Sequence, residues 1–312
     1  MNMKHNQIQN TVWALTFGAV LSLTSAGCGA GEAVRIGYSL EFESEILVNE
    51  MKVALKFILE KVLKEQGLDA VFTFPMKESE NQLAAAEGKV DMFDMSVLRF
   101  ALLPEEERAK MRPIIVPQHR DRKLTRFVLL APPGTKIESL RGKRLRRIAK
   151  RDRRMASAWL TSVLWKDCGA TLEDYFGDIT DWDDASEVVV PTFFGKADCC
   201  LVAWAEFELL AELNPQISRR LEVVRESPEL LTTLLLLREG FDGVEEDRAV
   251  RIAETLHEGK DGEQAFTLMR IKRLRKFREE EMEGVNAIAK VLREIEAEKA
   301  GKVEIATKEN WE

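Results

Sequence analysis

One short motif occurs twice in this chain at a fixed offset, and that repeat limits the fold more than any other feature. Gly88-Lys-Val-Asp91, followed by Phe100, Leu102 and Leu103, returns 107 residues later as Gly195-Lys-Ala-Asp198, followed by Phe207, Leu209 and Leu210. Each copy precedes a strand-like run and then a helical pattern in the same register, so the chain reads as two lobes built on one plan. At 312 residues it has the length of two ordinary domains. Around the first copy, residues 33–38 read as a strand. From Glu45 the apolar residues Leu47, Met51, Ala54, Ile58 and Val62 recur at helical spacing until Gly67. Residues 70–74 form the next strand, Ser79-Glu-Asn-Gln82 has the form of a capping box, and residues 90–95 form a third strand. This alternation implies a parallel sheet with crossover helices, hence an α/β fold.

The same order then returns. Residues 125–131 read as a strand, Thr135-Lys-Ile-Glu138 as a second capping box, 143–149 as a strand and 155–165 as a helix. Thr171-Leu-Glu-Asp174 opens a short helix, and 187–191 reads as one more strand. Residues 221–225 and 232–237 are expected to be strands returning the chain to the first lobe, and 248–256 a helix. A long helix over about 272–299 closes the chain, with Phe277, Val285, Ile288, Leu292 and Ile295 on one face and Glu279-Glu-Glu281 on its solvated side.

Charge is unevenly spread. Between Lys4 and Glu32 lie 27 residues without a formal charge, including an apolar run of 13 from Thr11 to Leu23 that exits through Thr24-Ser25-Ala26-Gly27 to Cys28. That run is shorter than the roughly 20 residues a membrane span needs, and its small-residue exit fits a secretory signal. Ser25-Ala26-Gly27-Cys28 resembles the bacterial lipobox, in which the Cys becomes the new N-terminus and carries acyl chains. Residues 1–27 are therefore expected to be a signal peptide, Cys28 the lipidation site and 28–32 a linker; an uncleaved N-terminal anchor is the alternative. Both place the bulk of the chain outside the cytoplasm, at the cell envelope and facing the periplasm or exterior. After cleavage 285 residues remain, whose 45 basic and 53 acidic side chains give a net charge of −8. An acidic body argues against nucleic acid as a partner.

The chain carries little that could do chemistry. Cys168 could pair with Cys199 or Cys200 in an oxidising compartment, although the latter two sit in an apolar run that suits buried, inert thiols. The three His (His5, His119, His257) have no ligand partner at metal-binding spacing, so neither metal nor other cofactor is expected. No nucleophile stands beside a base in any motif, which argues against an enzyme. The local exception to the acidic balance runs from Arg141 to Arg154, nine basic residues in fourteen with the single acid Asp152. Over residues 141–150 this reads as a solvated edge strand. Arg153 and Arg154 lie on the approach to the helix holding Ser157, where a guanidinium could grip a carboxylate, sulfonate or phosphoryl group with two hydrogen bonds. Interleaved aromatics, which a nucleic-acid surface would need, are absent.

Arg35-Ile-Gly-Tyr38, the two Gly-Lys-x-Asp segments, Lys136-Ile-Glu-Ser-Leu-Arg-Gly-Lys-Arg144 and Cys168-Gly-Ala-Thr-Leu-Glu-Asp-Tyr-Phe176 together carry a resemblance over roughly residues 33–240. In their order and spacing the chain resembles the phosphate/phosphite/phosphonate-binding group of extracytoplasmic solute-binding proteins that feed ABC importers. The resemblance implies an α/β, two-lobed periplasmic-binding-protein fold of type 2, each lobe a parallel-rich sheet flanked by helices, with a hinge of two crossing strands. Its lobes would be 33–127, 128–228 and the return 229–312. In that group a Ser-Thr-Ser-Gly segment at a lobe-two helix start wraps the anion; it falls here on Met155-Ala-Ser-Ala158, so only Ser157 is retained. The carboxylate that serves a ligand amino group near Ala203 is missing, and Trp204 stands there. Ligands of such sheets sit beyond the carboxyl ends of strands, where helix starts attract anions. The expected ligand-binding residues are Tyr38, Ser39, Ser96, Arg153, Arg154, Ser157 and Trp204. The implied partners are a small anion and ABC permease subunits, for a monomer held at the membrane by its lipid; a ligand sensor that signals to a membrane partner is the alternative.

Overall fold

The computed structural model describes residues 33–39, 45–75, 77–118, 124–148 and 153–309. The expected signal peptide, the Cys28 lipidation site and the linker lie outside the described residues. Short apolar strands and one-sided helices alternate from β1 (Val34–Gly37) through α1 (Glu45–Glu65), β2 (Ala70–Thr73), α2 (Glu78–Ala86), β3 (Met92–Ser96), α3 (Val97–Leu102) and α4 (Glu105–Arg108) to β4 (Met111–Gln118). The second set comprises β5 (Phe127–Ala131), β6 (Arg144–Ile148), α5 (Arg153–Cys168), α6 (Leu172–Tyr175), β7 (Asp178–Trp182), α7 (Ala185–Phe193), β8 (Cys199–Ala203), α8 (Trp204–Leu213), α9 (Gln216–Arg220) and β9 (Glu222–Glu226). The chain then returns with β10 (Thr233–Arg238), α10 (Glu246–Thr255), α11 (Lys260–Leu268), β11 (Arg273–Lys276) and α12 (Glu283–Glu309). No helix among the described residues is long and apolar enough to cross a membrane.

Two sheets result, each the centre of one lobe. The first has the order β11-β4-β10-β3-β1-β2, and the second β7-β6-β8-β5-β9. In each, three strands run parallel (β2, β1, β3 and β7, β6, β8), as strand-helix alternation requires, and one antiparallel strand lies beside them, the returning β10 in the first sheet and the entering β5 in the second. Two segments cross between the sheets, and Thr125 and Leu230 exchange a pair of backbone hydrogen bonds of 2.9 and 2.8 Å there. Ser227 reinforces the crossing, its hydroxyl accepting from Phe127 N–H at 2.8 Å. One apolar cluster runs through this junction and holds Phe93 and Met95 of the first sheet, Phe127 and Leu129 of the second, and Val285, Ile288 and Ala289 of α12. α12 packs on α3 of one lobe and on α5 of the other.

Several sequence expectations are corrected. Residues 187–191 are not a strand but the body of α7, whose cap is Asp184 accepting from Ser186 N–H at 2.7 Å. β-Branched Val188 and Val189 suggested a strand, yet here they form the buried helix face. Pro191 cannot donate to the Glu187 carbonyl four residues back, and Arg146 Nη1 fills that place at 2.9 Å. Residues 221–225 do not return to the first lobe, because β9 pairs with β5. The long last helix starts only at Glu283; residues 273–276 form β11, paired with β4. Phe277 packs against the same core from outside the helix. Glu281 is not solvated, since it binds Arg275 at 2.7 Å with both side chains largely buried. Neither expected capping box forms: α2 starts at Glu78 behind Lys77, and residues 137–140 make a 3-10 turn behind Lys136. The Thr171 cap does form, its hydroxyl accepting from Asp174 N–H at 3.4 Å and donating to the Asp174 carboxylate at 2.6 Å. The basic strand β6 is not an edge, because it lies between β7 and β8. Cys168, Cys199 and Cys200 are free thiols, and burial pushes the Cys200 thiol up to about 12.

Candidate functional site

The repeated motif sits at the end of each sheet away from the site. Asp91, 1% exposed just before β3, accepts from the backbone N–H of Arg35 at 3.0 Å, from its Nε at 2.8 Å and from its Nη2 at 2.6 Å. Asp198, just before β8, takes the same three bonds from Arg144 at 2.9, 3.0 and 3.3 Å. Gly88 and Gly195 both take a positive φ, +68° and +73°, where the preceding helix ends, a backbone state that glycine adopts without a steric penalty. The motif therefore clamps the first of each lobe's three parallel strands to the third, β1 to β3 and β6 to β8. Burial alone would raise the Asp91 pKa, but the bonds from Arg35 and Arg238 outweigh it and hold the carboxyl below its usual value.

The opposite, carboxyl ends of the strands face the crossing segments, since Phe127 pairs with Ala203 at the end of β8 and Thr233 with Ser96 at the end of β3. In lobe one that end is organised by Asp94, a carboxylate 3% exposed inside an apolar strand. It accepts from Ser39 N–H at 2.8 Å, from the Ser39 hydroxyl at 2.5 Å and from Asn81 Nδ2 at 2.8 Å. Ser39, two residues beyond β1, is thus fixed through both its backbone and its side chain. Ser96, at the start of α3, donates to Glu78 at 3.3 Å, and Arg99 bonds Gln82 at 2.5 Å beside it.

In lobe two the corresponding end is basic. Register places Arg147 of β6 directly beside Asp181 of β7. Arg147 Nε donates to Asp181 Oδ1 at 2.6 Å, while its Nη1 donates to Ser157 Oγ in the first turns of α5 at 3.0 Å. Arg153 Nη1 reaches Asp181 Oδ2 at 3.0 Å. Two guanidiniums, a hydroxyl and one carboxylate are so gathered where β6 ends and α5 begins. Burial would raise the Asp181 pKa, but Arg147, and after it Arg153, hold it below the usual carboxylate range. At the end of β8, Trp204 N–H donates to the Arg126 carbonyl at 2.8 Å. The Arg126 guanidinium lies 5.1 Å from the indole centre and pairs with Glu226.

Of the residues expected from sequence, Ser39 and Ser96 fall at the carboxyl ends of the adjacent strands β1 and β3, and Arg153 and Ser157 meet in one cluster. Trp204 lies at the end of β8, with Arg126 over one face. Tyr38 is placed elsewhere: it is 3% exposed in the apolar core of lobe one. Arg154 is exposed in the first turn of α5. Arg147, Asp181, Asp94 and Arg126 were not anticipated. Asp94 left a trace in the sequence, a lone carboxylate between Phe93 and Met95, but the meeting of Arg147 with Asp181 depends on a strand register that sequence does not show. No group of His, Cys, Asp or Glu among the described residues is placed to hold a metal ion.

A family profile described as the periplasmic substrate-binding protein of a phosphonate ABC transporter matches residues 37–282. The chain belongs to this family. It is thus the substrate-holding component of an ABC transport system, and its two-sheet α/β architecture is shared with solved members of the wider group. XAC2383 from Xanthomonas citri, bound to ATP, superposes with a TM-score of 0.61 at 11% identity, covering 85% of this chain and 99% of that one. PhnD1 from Prochlorococcus marinus in complex with methylphosphonate gives 0.51 at 14% identity, with 84% and 98% covered. The aliphatic sulphonate binding protein SsuA from Escherichia coli gives 0.51 at 12%, with 86% and 89% covered. At these identities the likeness is one of fold. No curated protein matches the sequence.

Proposed function

We propose that this family member captures a small oxyanion of the phosphonate, phosphate or sulfonate class between its lobes, closes on it, and delivers it to the permease subunits of an ABC importer. The observation that carries this reading is the gathering of Arg147, Arg153 and Ser157 at the carboxyl end of the lobe-two sheet. Guanidiniums present paired donors to an oxyanion, and the start of α5 adds the positive end of its dipole. Lobe one contributes Ser39 and Ser96, held by Asp94 and Glu78. Capture needs only a higher affinity of the closed form for ligand, so no covalent chemistry is assigned. The lobes are taken as 33–127 with 229–312, and 128–228, in a monomer anchored through an acylated Cys28 at the envelope.

Thermal or urea unfolding against methylphosphonate, phosphate, phosphite, methanesulfonate and amino acids tests the reading, because a ligand at a hundredfold excess over Kd adds about 2.7 kcal/mol. At least one oxyanion is expected to stabilise the protein, and Arg147→Ala to abolish that shift while the protein still folds. No stabilisation by any oxyanion would end the proposal. Intact mass of the mature protein checks the anchor, for which a full-length chain with a free Cys28 thiol is the contrary result.

A further inference from the structure

We propose that Asp181 sets the charge of ligand this site accepts, so that it takes a singly charged oxyanion in preference to a doubly charged one. The inference rests on the reading of Arg147, Arg153 and Ser157 as the anion site. Asp181 is not a bystander on the rim, for its carboxylate bridges two guanidiniums, accepting from Arg147 at both oxygens, 2.6 Å at Oδ1 and 3.5 Å at Oδ2, and from Arg153 at Oδ2, 3.0 Å. Arg147 and Asp181 are fixed by backbone register, on neighbouring strands of one sheet, so the carboxylate stays when a ligand arrives. Among the described residues, the cluster of Arg147, Arg153 and Asp181 then carries one net positive charge rather than two. Its surroundings keep that carboxylate ionised, because the two guanidiniums outweigh the effect of burial.

That single charge decides between ligands by a scaling argument. The cost of stripping water from an ion grows with the square of its charge, whereas its attraction to a fixed site grows only in proportion. A net charge of one is therefore matched to a monoanion such as a sulfonate, a carboxylate or a phosphonate that keeps one proton. Each such group can accept bonds from the outer edges of Arg147 and Arg153 and from Ser157. A fully ionised phosphonate would pay four times the desolvation for twice the attraction. It would also bring its second charge beside Asp181.

The test uses methanesulfonate and methylphosphonate, which have nearly the same shape, with calorimetric Kd values measured on the whole mature protein at a pH alkaline enough for the phosphonate to carry two charges. The wild type is expected to bind methanesulfonate more tightly, and Asp181→Asn to move the ratio of the two Kd values about tenfold toward methylphosphonate. Arg153→Gln, at an exposed position, works in the opposite direction and is expected to move the ratio toward methanesulfonate, which keeps the idea testable should the Asn variant fail to fold. A wild-type preference for the dianion, or a ratio unmoved by these substitutions, overturns the proposal while leaving the anion site standing. If neither ligand binds wild type or variants, the anion-site reading fails and this inference goes with it.

Discussion

At the scale of single residues, the chain uses carboxylates as organisers, and their burial determines how much each matters. Asp91 is enclosed and serves both Arg35 and Arg238, whereas Asp198 and its partner Arg144 are partly exposed. Asp91→Ala removes a buried carboxylate that two guanidiniums share and is expected to cost about 3 kcal/mol in urea unfolding. Asp198→Ala removes the same bonds in a wetter place and is expected to cost no more than about 1 kcal/mol; equal costs would show that the clamps do not differ by burial. The acid limb of stability follows. Asp91, Asp181 and Asp198 all titrate below their usual value when folded. Their stabilisation is fully present above the unfolded pKa of about 4 and is lost as pH falls through the lower folded values. Asp91→Asn should flatten that limb in unfolding titrations between about pH 5 and 2, and an unchanged slope would count against the clamp as its cause. The Gly-Lys-x-Asp repeat was plain in the sequence. Its meaning was not, because the arginines it holds lie 54 to 147 residues away in the chain.

Among the elements, the lobe-one strands approach α2 so closely that side-chain size is limited. A Cβ on Gly37 would lie 2.1 Å from Asn81 Oδ1, so Gly37→Ala must displace Asn81 and with it the bond to Asp94. The expected cost is about 2 kcal/mol, seen as a lowered Tm together with weaker ligand binding, since Ser39 loses part of its support. A variant as stable as the wild type would mean that α2 can shift freely. Elements with a single physical cause were legible: α1 from its apolar spacing, the Thr171 turn from its cap, β10 from its apolar run. Those decided by a partner were not. α7 looks like a strand because three valines adjoin a proline, yet it is a helix capped by Asp184 and buried through Val188 and Val189, with Arg146 taking the carbonyl that Pro191 leaves open. β11 is rich in Arg and Lys, and is a strand because β4 offers it an edge. The candidate site divides the same way, with Ser39, Ser96, Arg153 and Ser157 visible from their place after strands, and Arg147 and Asp181 visible only once β6 and β7 are aligned.

For the whole molecule, α12 governs cooperativity. It buries Val285 and Ala289 in a core shared by both lobes, and Arg293 donates to the Ala101 carbonyl at the end of α3. The lobes should therefore unfold together. All four tryptophans among the described residues, Trp159, Trp165, Trp182 and Trp204, lie between β5 and β9, so with Trp13 and Trp311, which lie outside them, replaced by Phe, fluorescence reports lobe two alone while far-ultraviolet dichroism reports both. The two urea transitions are expected to coincide in the wild type and to separate in Ala289→Asp, which puts a charge into the shared core. Transitions that already differ in the wild type would show that the lobes unfold independently. The two clamps have a different consequence, historical rather than mechanical. On β6 the clamp residue Arg144 and the site residue Arg147 are three positions apart, about 10 Å along the strand and on opposite faces, and Asp91 and Asp94 are spaced the same way around β3. Mutations that change what the molecule carries thus fall on different positions from those that keep each half folded. A duplicated half with one clamp could diverge at its open end, acidic in one copy and basic in the other, while the inherited base stayed the same.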